Sequence, residues 1–182
     1  MRMLKDEFGD SLDVVWRSFL LRPRPDPGRT LDQFRAYTRS WERVGSQPDS
    51  GVFRVWESNE GPPSHSVPPH LAAQAAATFG PDAFERFHNR LFSAYFTENR
   101  DITAPGTLTA LWEELGLPAG GLSRAEDPAL VRQVLEEHNE AVACGTDGVP
   151  AFRTDATEAV ITGAHPVEFF RQWVGRVLRG AK

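Results

Sequence analysis

An α/β fold interrupted by a long helical stretch is the architecture this sequence predicts. Three observations predict it. A short β-prone run lies near the start, at Leu12–Trp16. Segments of helical period with helix start and stop signals fill the middle. Two further β-prone runs stand close together near the end, with one amphipathic helix after them. Strand, helical block, hairpin and helix in that order fit a sheet whose chain leaves for a helical insertion and returns, and do not fit a plain bundle. The 182 residues, 40% hydrophobic and 25% charged, are enough to bury a core without disulfides or a structural metal.

Each element has its own reason. Leu12-Asp13-Val14-Val15-Trp16 begins by alternating and is rich in β-branched and aromatic residues, so it reads as a strand. Pro23, Pro25, Pro27 and Gly28 then break regular structure. Thr30 and Gln33 have capping-box spacing ahead of Leu31, Phe34, Trp41 and Val44. Gly51–Trp56 is a short β-prone or turn segment, and Gly61-Pro62-Pro63 is a loop. Ser66 is placed to cap an alanine-rich helix running to Phe79. Gly80-Pro81 ends that helix and starts the next, whose apolar face carries Phe84, Phe87, Leu91, Phe92 and Tyr95. A helix over Thr103–Leu115 stops at Gly116, and Asp127-Pro128 opens one that runs to about Ala143. Pro150–Thr154 and Ala159–Thr162 read as strands joined through Asp155–Glu158. Pro166 starts the last helix, with Val167, Phe170, Trp173, Val174 and Val177 inward.

Composition excludes several functions. The formal charge is −5, and no basic run of five or more occurs, which argues against a nucleic-acid partner. No apolar stretch approaches the roughly 18 residues of a spanning helix, so no membrane partner is expected. Met1–Asp10 has no signal-peptide core, and the expected compartment is the cytoplasm. Cys144 is the only cysteine, which leaves no internal disulfide, no Cys-x-x-Cys and no cysteine-built metal site.

Three segments carry a resemblance. They are Phe19-Leu20-Leu21-Arg22-Pro23; His88–Phe96 leading into Glu98-Asn99-Arg100-Asp101-Ile102; and Gly148-Val149-Pro150-Ala151-Phe152 leading into Gly163-Ala164-His165-Pro166. In this order they resemble the DsbA-type oxidoreductases of the thioredoxin fold, within them the FrnE-like branch. That branch is related to 2-hydroxychromene-2-carboxylate isomerases and kappa-class glutathione transferases. The resemblance implies a thioredoxin-like α/β core at residues 1–27 and 131–182, and an inserted helical domain at 28–130. It also implies a cis bond at Val149-Pro150, with both residues binding substrate. A cis X-Pro bond costs only about 0.5–1 kcal/mol, and it leaves the preceding backbone groups free to pair with an extended thiol substrate.

The sequence also departs from the family. Members begin with a strand, then a Cys-x-x-Cys or Ser-containing loop, then a helix. Here Met1–Phe8 reads as the last turns of that helix, so the expectation is an N-terminally shortened chain without the first strand and the active-site motif. That strand would lie between the one at Leu12–Phe19 and the one at Pro150–Thr154. Without it both neighbours lack ladder partners, at about 1–3 kcal/mol for each buried unpaired group. Open edges favour pairing with another chain, so a homo-oligomer is the expected repair.

The function implied is thiol–disulfide oxidoreduction by thiolate attack through a mixed disulfide, on a protein or small-molecule thiol or disulfide. A chain with one cysteine is not competent for that dithiol cycle. The alternatives are a glutathione-dependent isomerase-like enzyme and a non-catalytic thioredoxin-fold binding protein. No metal and no resident cofactor are expected; glutathione is the small molecule the resemblance would bring. No catalytic residue is assigned. Cys144 reads as incidental, since a helix C-terminus is a poor place for a thiolate. His65, His70, His88, His138 and His165 form no metal-ligand pattern, though His165 lies beside the Val149-Pro150 strand. Glu98, Arg100 and Asp101 read as a helix-terminal ion network, and Trp16 and Trp41 as core.

Overall fold

The computed structural model describes residues 1–47 and 50–180. They form two compact units, one of residues 1–19 with 137–182 and the other of residues 20–136. The helical unit thus runs from 20 to 136 where the sequence reading set it at 28–130. Local bonding explains the earlier start. Leu20 is buried, and Arg22 is tied to Ser66 by two bonds: its N–H donates to Ser66 Oγ at 2.9 Å, and its C=O accepts from Ser66 N–H at 2.7 Å.

In the 20–136 unit, α2 (Leu31–Thr38) opens on the expected capping box: Gln33 N–H donates to Thr30 Oγ1, and Thr30 N–H to Gln33 Oε1. The helix breaks at Arg39–Ser40, and α3 (Trp41–Gly45) restarts. The β-prone run at Gly51–Trp56 forms no strand; Arg54 N–H donates to Phe96 C=O at 2.8 Å. α4 (Val67–Ala77) begins after Ser66, but the Ser66 hydroxyl makes no cap, because it accepts from Arg22. α5 (Pro81–Phe92) follows Gly80, whose φ of 108° suits glycine. It continues as one π-helical stretch, Ser93–Thr97. α6 (Pro105–Glu114) ends in a Schellman motif at Gly116, with Leu117 N–H on Trp112 C=O and Gly116 N–H on Glu113 C=O.

Two cores form here. Ala72, Ala75 and Ala76 of α4 are small enough to admit Phe87, Leu91, Leu108, Leu111 and Trp112. Phe34, Trp41 and Trp56 make the second core, joined by Phe53, Tyr95 and Phe96. The π-helical stretch brings the last two rings in: Tyr95 lies 5.1 Å and Phe96 4.9 Å from Trp41.

α7 (Pro128–Ala143) starts where Asp127 accepts from Ala129 N–H, and the unit boundary falls within it. In the other unit, α1 is Arg2–Phe8, and residues 1–10 supply no strand. The ladder pairs β1 (Ala151–Thr154) antiparallel with β2 (Thr157–Thr162), Ala151 opposite Thr162. Asp155 and Ala156 alone make the turn, tighter than the four residues expected. α8 (Val167–Gly180) closes the unit with Phe170 and Val174 buried, and Phe170 packs 4.5 Å from Phe152. The strand expected at Leu12–Trp16 is corrected: Leu12 is extended, at φ −127° and ψ 104°, but among the described residues this segment joins no ladder. β propensity needs a neighbouring strand to become a strand, and here none lies alongside.

Candidate functional site

A turn between α7 and β1 carries the candidate site. α7 ends in a second Schellman motif: Thr146 N–H donates to Ala141 C=O and Gly145 N–H to Val142 C=O, with Gly145 at φ 85°. The chain then turns through Gly148 to Val149-Pro150, whose peptide bond is cis. Pro150 C=O accepts from Gly163 N–H at 2.8 Å, one residue beyond the ladder. Gly163 has φ 104°, where a side chain would strain the backbone. Val149 is 51% exposed, and among the described residues neither its N–H nor its C=O has a partner. A residue with both backbone groups open at the start of a strand can take an extended segment in strand-like pairing.

The far side of the turn is aromatic. His165 Nε2 lies 3.2 Å from Thr162 C=O, and its ring stacks on Phe169 at 4.5 Å. The sequence placed His165 beside this turn but carried no signal for the Phe169 stack. It also missed the guanidinium of Arg153, which donates to the Cys144 sulfur at 2.7 Å. No motif links two residues nine apart across a turn.

The other candidates lie elsewhere. His65 Nδ1 is 2.7 Å from Ser64 Oγ. His138 packs its edge on Phe19. His88 stacks between Phe84 and Phe92; burial, with the nearby charge of His70, pushes its pKa down to about 4. Glu98 and Arg100 do form an ion network, with Arg90 and Glu114, whereas Asp101 accepts from Thr103 N–H and hydroxyl. Trp41 is buried and Trp16 is exposed. Among the described residues no group of three or more His, Cys, Asp or Glu could hold a metal ion, and no helix is long and apolar enough to cross a membrane.

An antiparallel hairpin backed by a closing helix, approached through a cis-proline turn and split from its N-terminal part by a helical unit, defines a thioredoxin-like α/β protein. The chain belongs to the DSBA-like thioredoxin domain family, whose model matches residues 2–175. The solved structures it is similar to agree on the fold. One is described as "a putative protein disulfide isomerase from Nitrosomonas europaea": TM-score 0.80, 16% identity, 100% of this chain and 89% of that one covered. Another is the cytosolic disulfide reductase DsbM from Pseudomonas aeruginosa, at TM-score 0.68 and 17% identity, covering 99% of this chain and 87% of that one. A third is the same reductase with GSH, at TM-score 0.68 and 16% identity over the same shares. No curated protein matches the chain significantly.

Proposed function

We propose that this protein is a DsbA-class, thiol–disulfide oxidoreductase-like protein that docks a thiol or disulfide substrate on Val149 and Pro150. The observation that carries this reading is the exposed Val149 with both backbone groups unpaired, in a chain matched by the family model over nearly its whole length. Glutathione is the small-molecule candidate, supported by the structure of DsbM with GSH. The cytoplasm is the proposed compartment, in keeping with the description of DsbM as cytosolic.

The 182 residues do not run a dithiol cycle on their own. A thiolate that attacks a disulfide breaks the S–S bond, forms a mixed disulfide and expels one thiolate. Release of the second half within the same chain needs a second thiol, and Cys144 is the sole cysteine. The purified chain is therefore expected to bind oxidised or reduced glutathione in calorimetry and to show no insulin-reductase activity. Val149→Pro, which removes the amide proton, should weaken binding by about tenfold. Turnover that survives Cys144→Ser would overturn the chemistry, and binding unchanged in Val149→Pro would overturn the docking role. The single cysteine also favours a second reading, a glutathione-dependent isomerase-like enzyme or a non-catalytic binding protein. Isomerase turnover with glutathione present separates the two.

A further inference from the structure

Two arginines in the 20–136 unit, Arg22 and Arg29, have no ion-pair partner among the described residues. Both are pinned to the segment before α4. Arg29 Nη1 donates to Pro63 C=O at 3.1 Å, and Arg22 exchanges its two backbone bonds with Ser66, three residues on. The Arg29 guanidinium lies over the Phe34 ring, 4.1 Å from its centroid. Tyr95 is itself fixed by the aromatic core, 6.4 Å from Phe34 and 5.7 Å from Trp56.

The charges do not balance. Among the described residues neither arginine forms an ion pair, although the chain has 25 acidic residues against 20 basic ones. The charged and phenolic groups that act on Arg29 are Arg22, Tyr95 and Tyr37, with no Asp or Glu among them. Burial and the Arg22 charge lower the Arg29 pKa. Burial pushes Tyr95 up to about 12, so its O–H stays a donor at neutral pH. Two guanidinium charges and a phenol act on one another here, and no Asp or Glu is among the groups that act on Arg29. Like charges gathered in a half-buried place are stabilised by an anion from outside, and guanidinium groups match the geometry of planar or tetrahedral oxyanions.

We propose that Arg22, Arg29 and Tyr95 form a binding site for a small oxyanion, the carboxylate or phosphate group of a ligand. The site lies wholly in the 20–136 unit and does not depend on the reading of Val149-Pro150. Phe34 and Pro63 hold Arg29 in place, so its remaining donors are pre-oriented, and the side chain of Arg22 is the adjustable second clamp.

The test uses the full chain at constant ionic strength, with sodium chloride as the reference salt. Inorganic phosphate and acetate are titrated separately, and binding is read by calorimetry and by tryptophan fluorescence, since Trp56 packs beside Tyr95. Saturable binding with a Kd on the order of 1–10 mM is expected from at least one of them. Phosphate alone would identify a phosphoryl group, acetate alone a carboxylate, and both a general oxyanion site. Arg22→Gln should weaken binding about tenfold without changing the anion-free circular dichroism. Arg29→Lys, which keeps the charge and loses the fork, should weaken it too. Arg43→Gln, exposed and outside the site, should leave it unchanged. No saturable binding by either anion, or equal affinity in Arg22→Gln and Arg29→Lys, overturns the proposal.

Discussion

Glu137 shows how one buried carboxylate can hold a segment that no ladder holds. It is 5% exposed and accepts from Ser18 N–H at 2.8 Å, while Arg17, largely in solvent, stands at 3.7 Å. The backbone bond matters more than the ion pair, because an exposed arginine contributes little. Glu137→Ala leaves a buried N–H without its acceptor and should cost about 1–3 kcal/mol in urea unfolding; Glu137→Gln, which keeps an acceptor oxygen, should cost less. His88 makes a second prediction. Its pKa falls from the ordinary 6.5 to about 4 in the folded protein, through burial first and the charge of His70 second. Between those values the unfolded chain binds the extra proton. Stability therefore falls as pH drops from 6.5 to about 4, by at most about 3 kcal/mol from this group, and levels off below. An NMR titration should place His88 near 4, and His88→Phe should flatten the slope of unfolding free energy across that window. A His88 titrating at its ordinary value would remove this source of acid sensitivity.

At the scale of elements, packing makes a prediction at Gly121, which opens the 3-10 turn Gly121–Glu126. A Cβ there would meet the rings of Phe79 and Trp112 at 2.8 Å. Gly121→Ala must push one ring out of the alanine-lined core, at about 1–3 kcal/mol, seen as a lower urea midpoint with unchanged slope. What the sequence made legible was the local part of each element. The Thr30–Gln33 box, the glycine stop at Gly116 and the prolines at helix starts all act within a few residues of themselves, and all stand where expected. The missed features depend on distant partners. Ser66 is a good cap by type, but Arg22 takes its hydroxyl. Leu12–Trp16 has strand composition, but no strand lies alongside. The π-helical stretch at Ser93–Thr97 has no sequence signature. The candidate site divides in the same way. The cis turn at Val149-Pro150 was legible because its motif is contiguous, whereas Arg153 on Cys144 is set by the chain's return across that turn.

At the scale of the whole molecule, the two units bury their apolar groups unequally. Residues 20–136 contain both extended core clusters. The unit of residues 1–19 and 137–182 buries Leu4, Phe170 and Val174, yet leaves Met3, Val15, Trp16, Val142, Val149 and Phe169 exposed. Single exposed apolar residues are ordinary. Here they accompany a two-stranded ladder, which is marginal in water on its own, and an extended segment of strand composition that joins no ladder among the described residues. Open strand edges are templates for another chain. Self-association that rises with concentration is therefore expected, with light scattering giving a mass above the monomer's 20.3 kDa. Val15 and Trp16 are the residues to change, since both are exposed and lie on the segment that joins no ladder. Trp16→Lys puts a charge on that edge and should shift the mass towards the monomer, with unfolding free energy altered by no more than about 0.5 kcal/mol, as for a surface substitution. A wild-type chain that scatters as a monomer at every concentration would show that these edges are tolerated unpaired. Association unchanged in Trp16→Lys would place the contact on another surface.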